Sequence, residues 1–247
     1  MEPQNKSWVL VTGGTRGIGK GIVLSLLPEY HVIFTYKRNS EQAEQVEAQA
    51  RLEGGMAIGL KCDGVDQSQV RKMAEKCIEQ FGAPYAVINN AGITQDSLLL
   101  SMSTLSWQNV IATNLDSTFY MTQAFLPAML AEKRGVILFM SSVTALKGNP
   151  GQVNYAATKS ALTGMARSLA LEVARFKVRV NAIAPGLIET EMADNVPEKE
   201  RQQLEKSIPL RRMGKVSEVS GLVRYLLSDS AAYITGQTLV IDGGLSA

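Results

Sequence analysis

The chain has 247 residues, of which 45% are hydrophobic and 19% charged, and its formal net charge is +2 at pH 7. This composition is ordinary for a globular protein, and the length suits one large α/β domain or two small ones. The small net charge, without any block of like charges, argues against broad binding of nucleic acid or of a membrane surface.

Three further features of the sequence concern its compartment. Cys62 and Cys77 show no metal-ligand spacing, so we expect no metal site and two free thiols in a reducing compartment. The first residues show no signal-peptide pattern, and no apolar run reaches membrane-spanning length. Together these features predict a cytoplasmic protein that binds neither membrane nor nucleic acid.

Strand-like and helix-like segments alternate along the whole chain. Short apolar runs rich in β-branched residues predict buried strands, in the order WVLVTG, HVIFTY, MAIGLKC, YAVINNAG, GVILFMSS, VRVNAIAPG and QTLVIDGG. Segments with helical patterning predict helices over 19–30, 40–53, 66–81, 153–175 and 215–227. Residues 103–132 predict two helices or one long bent helix, and 190–205 a polar surface helix or flap. We expect a single domain over 1–247, a Rossmann-type, doubly wound α/β fold with seven parallel strands and helices on both faces.

The turn after the first predicted strand is rich in glycine. In VTGGTRGIGKG the glycines allow the backbone to turn tightly and to approach a pyrophosphate, and the helix that begins there presents free N–H groups. A glycine-rich turn without a ligand is the alternative, but the position between first strand and first helix favours dinucleotide binding. We expect the cofactor to contact Gly13, Thr15, Arg16, Gly17, Ile18 and Gly19.

The end of the second predicted strand bears on which nicotinamide cofactor is bound. Enzymes that use NAD place an acidic residue there to bind the ribose hydroxyls. This chain has Lys37 and Arg38 instead, and Arg16 adds a third cation whose planar donors suit a phosphate. Lys37 and Arg38 could be two ordinary surface cations of a solvated loop, but the missing acid predicts NADPH, with its 2′-phosphate.

The segment NYAATKS places Tyr155 and Lys159 four residues apart, on one face of a predicted helix. Such a pair is often only a surface hydrogen bond. A cation beside a phenol can also lower its pKa from about 10 and make its proton easier to move.

Five motifs in order resemble the short-chain dehydrogenases/reductases. They are TGGTRGIG, NNAG at 89–92, SSV at 141–143, YAATK at 155–159 and PG at 185–186, and they extend over nearly the whole chain. Within that family, NNAGITQDSLL, GNPGQVNYAATKSAL, PGLIETEM and AAYITGQTLVIDGG resemble the 3-oxoacyl-acyl-carrier-protein reductases. The resemblance implies NADPH-dependent reduction of a 3-oxoacyl thioester to the 3-hydroxyacyl form.

The resemblance implies four catalytic residues. Tyr155 would be the general acid, and Lys159 would supply the charge that tunes it and contact the cofactor ribose. Ser142 would hydrogen-bond the substrate carbonyl oxygen, although Ser141 competes for that role. Asn114 would hold a water that passes protons to Lys159, or it could be only a residue at a helix bend.

The resemblance also extends the cofactor site beyond the glycine-rich turn. Asp63 would contact adenine, with a helix cap as the alternative. Separately, the position of His31, the only histidine, before a predicted strand indicates a structural role and not a catalytic one. The other cofactor contacts, besides Tyr155 and Lys159, would be Asn90, Ala91, Gly92, Pro185, Gly186, Ile188 and Thr190.

A substrate flap over 187–212 and an acidic acyl carrier protein as partner are further implications. Basic residues expected near the mouth of the site could dock the carrier or could simply complement helix ends; they are Lys133, Arg134, Arg167, Arg175 and Lys177. Relatives form tetramers, so we expect a homotetramer. Alternatives are a reductase of polyketide or polyene intermediates, of free ketones or of sugars, a non-catalytic NADPH-binding scaffold or sensor, and a structural subunit of a mixed tetramer.

Overall fold

The computed structural model describes residues 6–191 and 198–247, with side chains from 201 onward in the second range. Its strands are β1 Trp8–Thr12, β2 His31–Tyr36, β3 Ala57–Lys61, β4 Ala86–Asn89, β5 Gly135–Met140, β6 Val178–Pro185, β7 Ile188–Glu189, β8 Gly214–Lys215 and β9 Thr238–Ile241. Its α-helices are α1 Gly17–Leu26, α2 Ser40–Leu52, α3 Gln67–Phe81, α4 Thr104–Ile111, α5 Ser117–Glu132, α6 Thr144–Lys147, α7 Val153–Val173, α8 Glu198–Ser207 and α9 Val216–Leu227.

Seven of these strands form one parallel sheet in the order β3-β2-β1-β4-β5-β6-β9. The order reverses between β1 and β4, which is the switch point where ligands bind in open α/β sheets. The predicted seven-stranded, doubly wound sheet is therefore confirmed. No pattern in the sequence predicted the small second sheet, in which Ile188 of β7 pairs with Gly214 of β8.

Alternate side chains of each strand enter two separate cores, one on each face of the sheet. Val9 and Val11 of β1 pack with α1, α2 and α9. Trp8 and Leu10, whose side chains lie on the opposite face of the sheet, pack with α3, α5 and α7. Because both faces are covered, the central strands read as continuous apolar runs, and all six residues of β5 are buried.

Three of the helices begin at side-chain caps. Asn39, Asp66 and Ser103 precede α2, α3 and α4, and each side chain accepts a hydrogen bond from the backbone N–H three residues later. Such caps satisfy one of the N–H groups that a helix start leaves unpaired. Asp66, rather than Asp63, is thus the cap of α3.

Two helices differ in detail from the sequence prediction. The first was expected to extend to residue 30 but ends at Leu26. Leu27 still has helical backbone angles, but Pro28 has no backbone N–H to continue the helical hydrogen bonds. The segment expected as two helices or one bent helix is α4 and α5, joined by a π-helical turn over Ala112–Asp116.

Within the described residues, we find no helix with both the length and the apolar character that crossing a membrane requires.

Candidate active site

The carboxyl ends of the central strands bring the sequence motifs to one edge of the sheet. The amide of Asn90, after β4, donates to the carbonyl oxygens of Thr12 and Gly13, after β1, over 3.0 and 3.2 Å. The backbone N–H of Val143, after β5, donates to the carbonyl of Pro185 at the end of β6 over 2.9 Å. The glycine-rich turn, NNAG, SSV and PG are therefore neighbours.

The glycine-rich turn has the geometry of a phosphate cradle. Gly13 has φ 68°, in the left-handed region that favours glycine, and its N–H donates to the Thr35 carbonyl. A Cβ added at Gly19 would lie 2.1 Å from the Gly13 carbonyl oxygen, so no side chain fits there. Arg16 precedes α1 without a capping side-chain bond, which leaves the first N–H groups of that helix available to an anion.

Thr12, a residue that the sequence analysis did not single out, holds this turn to the strand beside it. Its hydroxyl accepts hydrogen bonds from the backbone N–H groups of Asn90 and Ala91, each over 2.9 Å. Thr12 is only 5% exposed. The signal available in the sequence was a hydroxyl residue at the last position of a buried strand, just before the glycines.

Tyr155 and Lys159 lie on one face of α7, as the spacing predicts. The Lys159 Nζ is 5.5 Å from the centre of the Tyr155 ring. Ser142 lies beside the phenol and acts to lower its pKa, and the Ser142 Oγ accepts a hydrogen bond from the backbone N–H of Thr144. Ser141 instead donates to the Lys159 carbonyl over 2.8 Å, so it satisfies backbone groups and leaves Ser142 beside the tyrosine.

The pKa of Tyr155 differs from the sequence expectation. Burial raises this pKa above its ordinary value, and this effect outweighs the interaction with Ser142, which lowers it. Lys159 is fully buried, and its Nζ donates to the Met140 carbonyl over 2.7 Å. Burial lowers the pKa of Lys159 to about 8. The lowered tyrosine pKa that the sequence spacing suggested is therefore not found in the structure described, because desolvation is the largest effect on both groups.

Asn114 lies fully buried in the π-helical turn between α4 and α5. Its amide oxygen accepts from the Ile93 N–H over 2.8 Å, and its amide nitrogen donates to the Ile93 carbonyl and to the Thr158 hydroxyl. The side chain thus fastens the segment after β4 to the helix that carries Tyr155. A Cβ added at Gly92 would lie 3.2 Å from Asn114 Oδ1 and 3.4 Å from Lys159 Nζ, so Gly92 packs against both.

The cations expected to bind the 2′-phosphate are at the ends of β1 and β2. Lys37 is half-exposed and forms an ion pair with Asp63 over 2.8 Å, so the residues expected to bind phosphate and adenine contact each other. Arg16 and Arg38 are exposed, and neither forms an ion pair within the described residues. Ion pairs this exposed contribute little to stability, and an anionic ligand can replace the carboxylate.

The remaining predicted cofactor contacts follow β6. Gly186 lies against Asp242, where a Cβ would come within 2.7 Å of the backbone. Ile188 is buried in β7, and the Thr190 methyl lies 3.5 Å from the position of a Cβ on Gly17. This segment therefore reaches back to the glycine-rich turn. Part of the predicted flap, 192–197, lies outside the described residues.

The basic residues expected near the mouth of the site are not there. Lys133 and Arg134 directly precede β5, and Arg175 and Lys177 directly precede β6. They therefore lie at the amino edge of the parallel sheet, opposite the carboxyl edge that carries the candidate active site, which we call the catalytic edge. Arg134 stacks on the Tyr85 ring, 4.6 Å from its centre. Arg167 is about 12 residues beyond Tyr155 in α7, which is about 18 Å along the helix.

Three hydrogen bonds join the start of α7, the helix that carries Tyr155, to the segment after β4. Asn154 donates to the Gln95 carbonyl, Gln152 donates to the Asp96 carboxylate, and the Ser97 N–H donates to the Gly151 carbonyl. Only the fold brings these residues together, since more than fifty positions separate the partners. Thr158 belongs to the same support through its bond with Asn114, and no local pattern in the sequence predicted any of these contacts.

This site defines a class of protein, a Rossmann-type oxidoreductase whose carboxyl edge joins a glycine-rich turn to a tyrosine, a serine and a buried lysine. A family model described as enoyl-(acyl carrier protein) reductase matches residues 13–246. Curated proteins similar to the chain include the 3-oxoacyl-(acyl-carrier-protein) reductase of Staphylococcus aureus, 40% identical over 237 residues and 96% of each chain.

Two further relatives carry the same description. The Thermotoga maritima protein is 39% identical over 236 residues, 96% of each chain. The Synechocystis protein is 40% identical over 238 residues, 96% of this chain and 95% of its own. The chain therefore belongs to the short-chain dehydrogenase/reductase family, as the motifs predicted, and it is an oxidoreductase that uses a nicotinamide cofactor.

Proposed function

We propose that the chain reduces 3-oxoacyl thioesters on acyl carrier protein to 3-hydroxyacyl thioesters, with NADPH, in fatty-acid or related polyketide or polyene synthesis. The observation that carries the proposal is the contact of Ser142 with Tyr155 at the catalytic edge, with the buried Lys159 one helical turn behind. The names of the three relatives support the substrate class, since each relative aligns over nearly its whole length.

The proposed chemistry assigns one task to each side chain. The nicotinamide, when bound, supplies a hydride to the carbonyl carbon. The hydroxyl of Ser142 donates to the carbonyl oxygen as negative charge develops there. Tyr155 gives its phenolic proton to the same oxygen, which completes the alcohol. Its raised pKa keeps this proton in place until the oxygen becomes basic enough to take it.

Lys159 and Asn114 act on Tyr155 and not directly on the substrate carbonyl. The buried ammonium of Lys159 stabilises the phenolate that proton transfer leaves, and we propose that its remaining donors contact the cofactor ribose. Both N–H groups of the Asn114 amide are already engaged. The water expected at Asn114 stays a prediction, and it would have to bind to a polar group of Asn114 other than these two N–H groups.

NADPH is favoured over NADH by the cations at the ends of β1 and β2. We propose that Arg38 and Arg16 bind the 2′-phosphate, and that Lys37 does so by exchanging its Asp63 partner. A hydrogen bond to a charged group contributes about 1.5–3 kcal/mol, so Arg38→Ala should weaken NADPH binding about 10–100-fold. NADH affinity should not change, and Arg51→Ala, on the exposed face of α2, is the matched control. An equal loss for both cofactors would contradict the assignment.

The first experiment follows NADPH absorbance with an acetoacetyl thioester on carrier protein and on a small pantetheine analogue. The Tyr155→Phe variant is the control for the chemistry. Oxidation that prefers the carrier-bound form and disappears in the variant supports the proposal. A crotonyl thioester tests the enoyl reduction named in the family description. No oxidation of any thioester, with NADPH binding intact, would favour another ketone or the non-catalytic scaffold.

Docking of the carrier is best tested on both edges of the sheet. Lys147, exposed on α6, is a basic residue close in sequence to Ser142 at the catalytic edge. Lys147→Glu should reduce activity on the carrier-bound thioester but not on the pantetheine analogue. Loss of that activity in Lys133→Glu instead would mean that a carrier docked at the amino edge serves the site of another copy.

We further propose one domain over 1–247, a flap over 187–212, and a homotetramer. Large apolar side chains are exposed on α4 and α5 and towards the C-terminus, as interfaces require; these are Leu105, Trp107, Phe119, Tyr225, Tyr233 and Val240. Phe119→Glu and Tyr233→Glu should each reduce the mass measured by light scattering from tetramer to dimer. A monomeric mass for the unchanged chain would contradict the tetramer.

A further inference from the structure

A turn over 242–246 follows β9 at the catalytic edge, and one carboxylate determines its shape. Asp242 Oδ1 accepts a hydrogen bond from the Gly244 N–H over 2.9 Å, and Oδ2 accepts from the Ser246 N–H over 2.8 Å. Gly243 and Gly244 have φ values of 66° and 89°, in the left-handed region that favours glycine. The chain therefore reverses sharply around the Asp242 side chain, which pairs with two backbone N–H groups of the turn.

Both oxygens of Asp242 take part in this arrangement. Burial opposes ionisation of the carboxyl, but hydrogen bonds from Ser246, Gly244 and Leu245 outweigh burial and lower the pKa of Asp242. Two separate oxygens accept the two N–H groups, so an asparagine would present its own N–H group to one of these donors. The turn therefore depends on an ionised carboxylate at residue 242.

The turn first contacts the chain where the predicted flap begins. The Gly186 N–H donates to the carbonyl of Ile241, the last residue of β9, over 2.9 Å. A Cβ added at Gly186 would lie 2.7 Å from the Asp242 Cα, so the two backbones are in direct contact. Movement of Asp242 would therefore move the PG motif, which the resemblance places at the cofactor.

The same turn contacts the chain again where the predicted flap ends. The Leu210 N–H donates to the Gly243 carbonyl over 3.1 Å. A Cβ added at Gly243 would lie 2.8 Å from the Ile208 side chain, and one added at Gly244 would lie 3.0 Å from the Pro209 ring. At either glycine a side chain would push the turn and this segment apart. One turn thus joins both ends of the flap.

Contacts continue from the ends of the flap to the glycine-rich turn. The Gly214 N–H donates to the Leu187 carbonyl over 2.9 Å, beside the pairing of β7 with β8. The Thr190 methyl, just after β7, lies 3.5 Å from the position of a Cβ on Gly17. A shift of the turn over 242–246 would therefore change the positions of Ile188 and Thr190, two of the predicted cofactor contacts.

We propose that Asp242 is a positioning residue of the reductase, which through the turn over 242–246 fixes residues 186–190 where they contact the cofactor. The inference rests on the proposed function, since it takes these residues to be cofactor contacts. Tyr155, Lys159 and Ser142 lie on other elements, α7 and the segment after β5. Loss of the Asp242 carboxylate should therefore weaken cofactor binding and leave the chemical step intact.

The test measures the dissociation constants of NADPH and NADH by the fluorescence of the nicotinamide, without substrate. Asp242→Ala should raise both constants about tenfold, as for loss of a hydrogen bond to a charged group, because the cations proposed for the 2′-phosphate are not involved. Asp242→Asn keeps one acceptor and should raise them less. In the activity assay, kcat at saturating NADPH should change little, which is the pattern for loss of binding alone. Asp229→Asn, at an exposed aspartate before β9, is the matched control and should change neither constant.

Two glycine variants separate positioning of the cofactor segment from stability of the fold. Gly243 and Gly236 have φ values of 66° and 71°, so an alanine strains the backbone at either position. A Cβ at Gly243 meets Ile208 of the flap, whereas a Cβ at Gly236 lies at an ordinary 3.5 Å from Ala170. Gly243→Ala should therefore raise both dissociation constants as Asp242→Ala does. Gly236→Ala should lower Tm by a similar amount without raising them.

Two results would overturn the proposal. One is unchanged cofactor affinity in Asp242→Ala, with or without a lower kcat, and the other is equal affinity in Gly243→Ala and Gly236→Ala. If Asp242→Ala shows no melting transition, Asp242→Asn and the two glycine variants decide the question. If the unchanged chain binds NADPH but oxidises it with no thioester, the proposed function fails, and the cofactor affinities of these variants still decide the role of Asp242.

Discussion

Replacement of Thr12 by valine is expected to destabilise the chain and to weaken cofactor binding. The change keeps the size and the β-branch of the side chain, so β1 and its packing stay intact. It removes the hydroxyl that accepts hydrogen bonds from the backbone N–H groups of Asn90 and Ala91. These two donors then face a methyl group.

The magnitude follows from the burial of the two donors. An unsatisfied buried donor costs about 1–3 kcal/mol, which for two fully buried groups would be about 2–6 kcal/mol. Asn90 and Ala91 are only partly buried, so water can reach part of the gap. We expect a loss of about 2–3 kcal/mol in the free energy of unfolding, or about 4–12 °C in Tm for a chain of this length.

The assay compares thermal melts and NADPH affinity with those of Thr35→Val. Thr35 pairs with Thr12 in the β1–β2 register and is equally buried, at 5% exposure. Its hydroxyl makes no hydrogen bond to the described residues, so its replacement should cost much less. Measurements at equal protein concentration are needed, because assembly raises apparent stability. Equal melting temperatures for the two variants would refute the role assigned to the Thr12 hydroxyl.

Three further predictions concern the catalytic edge. Ser142→Ala should lower kcat about 100–1,000-fold with little change in NADPH affinity, as for loss of one donor to a developing oxyanion; an unchanged kcat would remove Ser142 from the mechanism. Lys159 has a pKa of about 8 in the folded chain, below its ordinary 10.5, so the unfolded chain binds more protons between these pH values. The free energy of unfolding of the cofactor-free chain should therefore rise relative to that of Lys159→Met between about pH 8 and about pH 10.5. Thermal melts of both proteins across this range measure the difference. A difference in stability that does not change with pH would contradict the burial of a charged lysine. The third prediction concerns the raised pKa of Tyr155. When the ultraviolet titration of the Tyr155→Phe variant is subtracted from that of the unchanged cofactor-free protein, the difference should show no phenolate at neutral pH. A phenolate signal in the neutral range would mean that the pKa of Tyr155 is lowered, as the sequence spacing suggested.

Local patterns in the sequence determined most of the architecture. The seven apolar runs became the seven strands of the main sheet, because a strand covered on both faces needs apolar residues at every position. The glycine-rich turn and the spacing of Tyr155 and Lys159 were also readable, since backbone freedom and helical periodicity act over a few residues. Both are properties of contiguous chain.

Only the tertiary structure decided how the motifs act on one another. It directed the Ser141 hydroxyl to the Lys159 carbonyl and left Ser142 beside Tyr155. It also paired Lys37 with Asp63 and placed Lys133 and Arg175 at the edge opposite the catalytic site. It also raised the pKa of Tyr155, where the sequence spacing had suggested the reverse. Hydrogen-bond partners and desolvation depend on groups that are distant in the chain and close in space, so no local pattern in the sequence records them.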